Sequence, residues 1–312
     1  MVEALRIGVV GTGAMGRNHV RLLSEMASTE LVGVHDRDPA VAEAVARRFD
    51  TRAYSSLDDL ADGVEAIVLA VPTIAHVEIG CELLERGVDL LVEKPIAPTV
   101  AEADELVASS HGRILAVGHV EFFNPAVEAL ISLGLKPRFA VVERLSSFTP
   151  RSLDVDVVLD LMIHDLQILQ ALDGSPLREV RAAGVAVLSS KIDIASARLE
   201  FESGCVANVT ASRVSAERVR SLRAFLKDRY YSLDYAEQTL TGFLLREPVE
   251  DDASPPEERI SPVDTPIKKE EPLRRELVRF VAACQGEEVS YVDGVQAREA
   301  LACGQRILDA IP

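Results

Sequence analysis

A doubly wound parallel α/β domain, followed by an α+β domain with a large, mostly antiparallel sheet, is the fold class the sequence predicts. Three observations predict it. Short β-branched apolar runs alternate with helical patterns up to about residue 119. A glycine-rich turn, Gly11-Thr12-Gly13-Ala14-Met15-Gly16, joins the first of those runs to the first helix. Beyond Glu179, strand-like runs follow one another with hairpin cues such as Glu202-Ser203-Gly204, until a helical pattern resumes at Pro272.

Composition sets bounds on the rest. At 312 residues the chain exceeds one typical domain and can bury two sizeable cores. Its 48% hydrophobic and 27% charged shares are those of a globular chain, neither disordered nor membrane-like. A formal net charge of -17 repels nucleic acid and anionic lipid, and no basic run offsets it. An anionic small molecule would need arginines or lysines gathered locally. Cys81, Cys205, Cys284 and Cys303 are scattered with no metal-like spacing, so they read as core fillers in a reducing cytosol, and metal independence is expected. The first strand starts within a few residues of Met1 with no basic leader or hydrophobic signal, and no apolar run approaches the roughly 18 residues of a membrane span. A cytoplasmic location is the expectation.

Arg6 to Val10 is the first strand, and a helical pattern runs from Met15 to Met26 after the glycine turn. In that strand-turn-helix setting the GxGxxG spacing is the dinucleotide fingerprint of a Rossmann unit. Gly11 permits the tight turn, Gly13 lets backbone approach a pyrophosphate, and Gly16 lets helix and strand pack closely. The helix N-terminus adds unpaired N–H groups and a positive dipole end. The second strand, Leu31 to His35, ends in Asp36, about 20 residues past the turn. A carboxylate there accepts from the adenosine ribose hydroxyls and repels a ribose phosphate, which favours NAD over NADP. Arg37 and Arg17, either able to swing towards a 2'-phosphate, keep NADP open.

Pro39 to Phe49 makes the next helix, with proline near its start. Ala66 to Val71 is a fully apolar strand closed by Pro72-Thr73, with Thr73 a candidate cap for the helix running to Arg86. Asp89 to Val92 is a buried strand, followed by Glu93, Lys94 and Pro95, the proline holding Lys94 extended. A helix at Thr99 to Ser109 and a strand at Ile114 to Val117 complete the pattern. Ligands of an open parallel sheet sit at the carboxyl ends of its strands. The candidate cofactor contacts are therefore Gly11, Thr12, Gly13, Ala14, Met15, Gly16, Asp36, Arg37, Val71, Pro72, Thr73, Glu93, Lys94, Pro95 and Gly118. His76 joins them as either a ligand contact or a packed or capping histidine. On this reading residues 1–119 are a dinucleotide-binding domain. Residues 120–312 form a substrate-binding and oligomerisation domain, with the C-terminal helices a candidate brace against the first.

In the second half a helix at Pro125 to Leu133 leads into a strand at Phe139 to Arg144. A loop carrying Arg151 follows, then a helix from about Val157 to Leu172. Asp160 and His164 stand four residues apart on that helix and hence on one face. Strands are expected at Glu179 to Val187, Ile192 to Phe201, Val206 to Ala211, Val219 to Leu226, Arg229 to Leu233 and Thr239 to Leu245. The acidic, proline-rich stretch Glu247 to Pro262 reads as a loop, and Pro266 to Lys269 as either an edge strand or a segment with two solvated lysines. Helices are expected at Pro272 to Cys284 and Val292 to Ile311.

The ordered set GTGAMGRNH at Gly11, VPTIAH at Val71, EKPIA at Glu93, GHVEFFNP at Gly118 and DLMIHD at Asp160 resembles the Gfo/Idh/MocA family of NAD(P)-dependent sugar and cyclitol dehydrogenases. The resemblance covers both halves and the terminal segment that begins at Tyr291. It implies that Lys94 contacts the nicotinamide ribose and the substrate hydroxyl, and that Asp160 and His164 contact the reacting hydroxyl. It also implies a second subunit on the open face of the second sheet, in a dimer or tetramer. Two positions depart from the family pattern, Asp156-Val157-Val158-Leu159 where paired glycines are common and Phe122 where many members carry arginine. Both fall on the substrate pocket.

The implied chemistry is oxidation of a CH–OH group. The hydroxyl proton must leave with the hydride, and histidine suits that task near neutral pH. His164 is the expected proton acceptor, Asp160 the group that orients the imidazole or the hydroxyl, and Lys94 the stabiliser of oxyanion charge. Within the family the chain looks most like the branch that oxidises UDP-N-acetylglucosamine at C3. Candidate substrate contacts are Lys94, His119, Phe122, Asn124, Arg144, Arg151, Asp160, His164 and Arg213, with the arginines as candidates for the UDP pyrophosphate. The alternatives are an inositol or free-aldose dehydrogenase, and a catalytically silent NAD-binding regulatory protein.

Overall fold

The structure is a computed structural model that describes residues 3–149, 155–247 and 255–312. The chain separates into two compact units, Met1–Val120 with Glu271–Leu301, and Glu121–Glu270 with Ala302–Pro312.

The first unit holds a six-stranded parallel sheet in the order β3-β2-β1-β4-β5-β6. Its strands are β1 (Leu5–Val10), β2 (Thr29–His35), β3 (Arg52–Tyr54), β4 (Ala66–Leu69), β5 (Asp89–Glu93) and β6 (Leu115–Gly118). The chain winds from β1 outward to β3 and then returns to β4 on the other side, so the topological switch lies between β1 and β4. Every residue of β4 and β5 is buried, as a strand covered on both faces requires. Between the strands run α1 (Ala14–Glu25), α2 (Pro39–Arg48), α3 (Leu57–Ala61), α4 (His76–Glu85) and α5 (Val100–Ala108). In α1 the buried residues Gly16, His19, Val20, Leu22 and Leu23 recur at helical spacing and face the sheet. Asp38 caps α2 by accepting from the Ala40 N–H at 3.0 Å, with Pro39 at the first helical turn. Thr73 does not cap α4. It opens a short 3-10 turn, Thr73–Ala75, and α4 starts at His76 with no side-chain cap.

The second unit holds an eight-stranded mixed sheet in the order β14-β13-β12-β11-β7-β10-β9-β8. The strands are β7 (Phe139–Leu145), β8 (Leu177–Val185), β9 (Ile194–Phe201), β10 (Val206–Ser212), β11 (Val219–Phe225), β12 (Arg229–Asp234), β13 (Thr239–Leu245) and β14 (Ile260–Val263). All neighbours are antiparallel except β7 and β10. One face sends Val142, Leu199, Val209, Leu222 and Leu233 into a core shared with α6 (Pro125–Ser132) and α7 (Ile163–Asp173). The opposite face carries a ladder of rings, Phe139, Phe225, Tyr230 and Phe243, with successive centroids 5.8, 4.9 and 6.4 Å apart.

Two expectations for this unit are corrected. The edge strand is Ile260–Val263, paired with Gly242–Leu245, and Pro266 to Lys269 is not a strand. Pro262 lies within it, and an edge strand tolerates a residue without an N–H. The helix expected from Val157 begins instead as a π-turn, Val158–Met162, before α7 continues it.

The C-terminal stretch contributes α8 (Pro272–Cys284) and α9 (Gly294–Asp309). Leu273, Leu277, Phe280 and Val281 of α8 join Val20 and Leu23 of α1 in the core of the first unit. Val117 N–H donates to the Val292 carbonyl at 2.9 Å, which adds a one-residue bridge at the β6 edge. The end of α9 places Cys303 and Ile307 in the core of the second unit. Among the described residues no helix is long and apolar enough to cross a membrane.

Candidate functional site

The glycine turn sets the geometry of the first unit's ligand edge. Gly11 has a φ of +86°, and a Cβ there would lie 2.5 Å from the Ala70 carbonyl oxygen. A Cβ on Gly16 would lie 1.9 Å from the Gly11 oxygen. No other residue fits either position. Gly13 differs, since a Cβ there would meet nothing within 4 Å. It is the N-cap of α1, which has no side-chain cap and no acidic residue in its first turn. Open backbone beside uncapped N–H groups is what a dinucleotide pyrophosphate requires. Ala14, Met15 and Arg37 are exposed around it.

Asp36 is tied to this turn. Its Oδ2 accepts from Thr12 N–H at 2.7 Å and Thr12 Oγ at 2.8 Å, and its Oδ1 from Asp38 N–H at 3.0 Å. Burial works against its charge, but these hydrogen bonds more than offset it and hold the carboxyl below its ordinary range. A carboxylate offers about four lone-pair sites, so acceptor capacity remains for ribose hydroxyls.

Lys94 is half-buried just past β5, and its bond to Pro95 is cis. Its neighbours are fixed by side chains from two other elements, α1 and α4, and by a glycine on β6. Glu93 is buried, with Oε1 2.7 Å from His19 Nε2 of α1 and Oε2 accepting from the Lys94 N–H at 3.3 Å. Gly118, opposite Glu93 on β6, leaves room for it, since a Cβ there would lie 3.0 Å from Glu93 Oε2. His76 is buried with Nδ1 3.0 Å from the Pro95 carbonyl and Nε2 3.0 Å from the Val71 carbonyl, so its ring joins the segments after β4 and β5. Burial pushes its pKa down, and a neutral ring donates to one of these carbonyls. Val71 and Thr73 are half-buried and Pro72 is exposed beside it. His119 is also buried, and burial together with the Lys94 charge pushes it down to about 3, so it is neutral at physiological pH.

Two residues of this edge were not singled out by sequence reasoning. His19 lies on the apolar stripe of α1, and a histidine on such a stripe requires a polar partner, which Glu93 supplies. Glu276 lies on the apolar stripe of α8 among Leu273, Leu277 and Phe280. Burial and then the charge of Glu93 push its carboxyl well above the usual carboxylate range, which favours the neutral form. An acid on the helix face that carries Leu273, Leu277 and Phe280 was the available signal.

In the second unit Asp160 sits half-buried in the π-turn and His164 is buried in the first turn of α7. π-turns inside helices recur at functional sites because they re-aim side chains. The next residue, Asp165, anchors this segment to β7. Arg144 Nε and Nη2 donate to its two oxygens at 2.7 and 2.9 Å, and Arg144 Nη1 donates to Glu121 at 2.9 Å. The guanidinium also lies over the Tyr235 ring, 5.0 Å from its centroid. Arg213 is buried likewise, donating to Asp193 at 2.8 Å, to the Val155 carbonyl at 2.9 Å and to Ser189 Oγ at 3.1 Å. Both arginines are thus committed to internal partners. Arg151 lies outside the described residues. Asn124 caps α6 by accepting from Ala126 N–H at 3.1 Å, and its Nδ2 donates to the Tyr235 carbonyl at 2.9 Å. Phe122 packs edge-on against Phe123, with centroids 5.4 Å apart. A cavity of about 340 Å³ brings Asp160 together with Ser147, Arg213, Arg218 and Arg220.

Residues 5–119 match the family described as GFO_IDH_MocA, oxidoreductase family, NAD-binding Rossmann fold, and residues 126–228 match the GFO/IDH/MocA C-terminal domain. UDP-N-acetylglucosamine 3-dehydrogenase of Acidithiobacillus ferrooxidans is 36% identical over 310 residues, which is 98% of this chain and 97% of that protein. A solved structure of that enzyme superposes with a TM-score of 0.91 at 34% identity, covering 99% of this chain and 98% of the other. Inositol 2-dehydrogenase of Acidothermus cellulolyticus is 32% identical over 198 residues, 58% of this chain and 57% of that protein.

Proposed function

The chain belongs to the Gfo/Idh/MocA oxidoreductase family, and from that premise we propose that it is an NAD-dependent dehydrogenase oxidising C3 of a UDP-N-acetylamino sugar. The observation that carries the substrate is the full-length match to a UDP-N-acetylglucosamine 3-dehydrogenase, which spans both units, whereas the inositol dehydrogenase match covers 58% of the chain. Asp36 supports NAD as the cofactor, because a carboxylate held in its charged form just past β2 would repel a 2'-phosphate on the adenosine ribose.

Oxidation of a secondary alcohol to a ketone removes a hydride from carbon and a proton from oxygen. NAD, held by the Gly11–Gly16 turn and Asp36, would supply the hydride acceptor. His164 takes the hydroxyl proton, Asp160 orients the imidazole or the hydroxyl, and Lys94 stabilises the oxyanion charge that develops as the proton leaves. His119 lies within the influence of the Lys94 charge in the first unit, and a group protonated only near pH 3 is a poor base at neutral pH. The Arg144–Asp165 pair holds the start of α7, and with it His164, against β7. A second copy of the chain covers the ring ladder of the open sheet face, giving a homodimer or a tetramer whose mass is read by light scattering.

The test is a thermal-shift and NADH-absorbance screen with NAD and NADP against UDP-sugars, free sugars and inositols. NADH formation with UDP-N-acetylglucosamine and NAD is the expected result. Turnover of free sugar or inositol with no preference for the UDP group would replace the substrate assignment. NAD binding without NADH formation across the panel would remove the catalytic one.

A further inference from the structure

We infer that Arg218 and Arg220 form the diphosphate-binding subsite of the second unit, an inference that rests on the nucleotide-sugar reading above. A diphosphate brought to a chain of net charge -17 needs cations that are not already neutralised. Arg144 and Arg213 do not meet that need. The first is held by Asp165 and Glu121 and the second by Asp193, all within hydrogen-bond distance.

Arg218 and Arg220 are different in three respects. Both are exposed, while Arg144 and Arg213 are buried. Their contacts among the described residues are long: Arg218 Nη2 lies 3.3 Å from Ser147 Oγ, and Arg220 Nη1 lies 3.6 Å from Glu121 Oε1, whose nearer partner is Arg144. They are also two residues apart in sequence, Arg218 immediately before β11 and Arg220 its second residue, so the same stretch of chain brings both guanidinium groups to one cavity. Both line the cavity that contains Asp160, so a ligand anchored by them lies in the same space as a proposed catalytic carboxylate. Its volume, about 340 Å³, is at the lower end of small-molecule pockets.

The chemistry suits a diphosphate better than a neutral sugar. A guanidinium presents paired N–H donors that match two phosphate oxygens, and two such groups match two phosphates. Ser147, already in contact with Arg218, adds a hydroxyl donor of the kind phosphates accept. A free sugar or a cyclitol offers no charge for either arginine.

The experiment compares the intact protein with Arg218→Gln, Arg220→Gln and the double variant. Inhibition by UDP, inhibition by a hexose monophosphate, and KM for UDP-N-acetylglucosamine are measured, with NAD binding as the folding control. Losing one charge-assisted phosphate contact should raise KM and the UDP inhibition constant about tenfold to a hundredfold in each single variant, and further in the double. The corresponding lysine variants should recover part of the loss. UDP inhibiting the double variant as strongly as the wild type would overturn the subsite and leave the nucleotide-sugar reading intact. A wild type insensitive to UDP would overturn both. A monophosphate that binds as tightly as UDP, and loses affinity equally in the variants, would overturn the diphosphate assignment.

Discussion

Asp165→Asn separates an architectural Arg144 from a ligand-binding one. In the folded second unit the side chains of Arg144 and Asp165 are 4% and 0% exposed, and two of the three charged hydrogen bonds of the guanidinium end on Asp165. The substitution keeps the shape and one acceptor but removes the charge, leaving the guanidinium with Glu121 as its anionic partner. Breaking a buried pair by removing one member costs about 3–5 kcal/mol. With Glu121 still in place the lower end, roughly 3 kcal/mol, is expected. For a domain of this size each kcal/mol moves the melting temperature by about 2–4 °C, so the transition should fall by roughly 6–12 °C. Differential scanning calorimetry of the whole chain reads it directly. A fall of less than about 2 °C would show that Arg144 does not depend on Asp165, and the reason for excluding it as a phosphate ligand would disappear.

Three further outcomes are expected. His164→Asn should lower kcat by about 10²–10⁴ with NAD binding intact, and full turnover would remove its role as proton acceptor. Asp36→Ala should raise the NADP/NAD ratio of kcat/KM by about tenfold or more, equivalent to about 1.4 kcal/mol, because a repulsion is removed; an unchanged ratio would count against the cofactor assignment. For Glu276 the folded carboxyl titrates above its ordinary value of 4.5, so the folded state keeps a proton that the unfolded state releases. Stability from this group therefore falls as pH rises above 4.5. Glu276→Gln removes that slope, so denaturant titrations should show the variant gaining on the wild type between pH 5 and pH 8. A difference independent of pH would refute the buried neutral acid.

The βα alternation and the glycine turn were legible because their causes are local. Strand β4 is apolar throughout since both its faces are covered, and Gly11 and Gly16 are required by backbone clashes within the turn or with the neighbouring strand. Partners distant in sequence were not legible. Arg144 reads as a free cation until β7 is placed beside α7, and the partner of the Glu93 carboxylate is invisible until His19, remote in the chain, is brought to it. The edge strand was misplaced because the two lysines and Pro266 resemble a protected edge, while Ile260–Val263 is interrupted by Pro262. At the π-turn, the spacing of Asp160 and His164 suits a regular helix equally well, so periodicity alone does not disclose the bulge.

The first unit is discontinuous in sequence, and this constrains the order in which the protein can be made. When Val120 has been synthesised, all six strands of the sheet exist, yet the side of α1 that bears Val20 and Leu23 still lacks Leu277, Phe280 and Val281. Those residues belong to a segment ending at Leu301, roughly 180 residues later. At about 5–20 residues per second the ribosome needs on the order of 10–40 s to deliver them. During that interval the nascent sheet carries an uncovered apolar helix flank, so final closure of the first unit waits on a segment made long after its last strand.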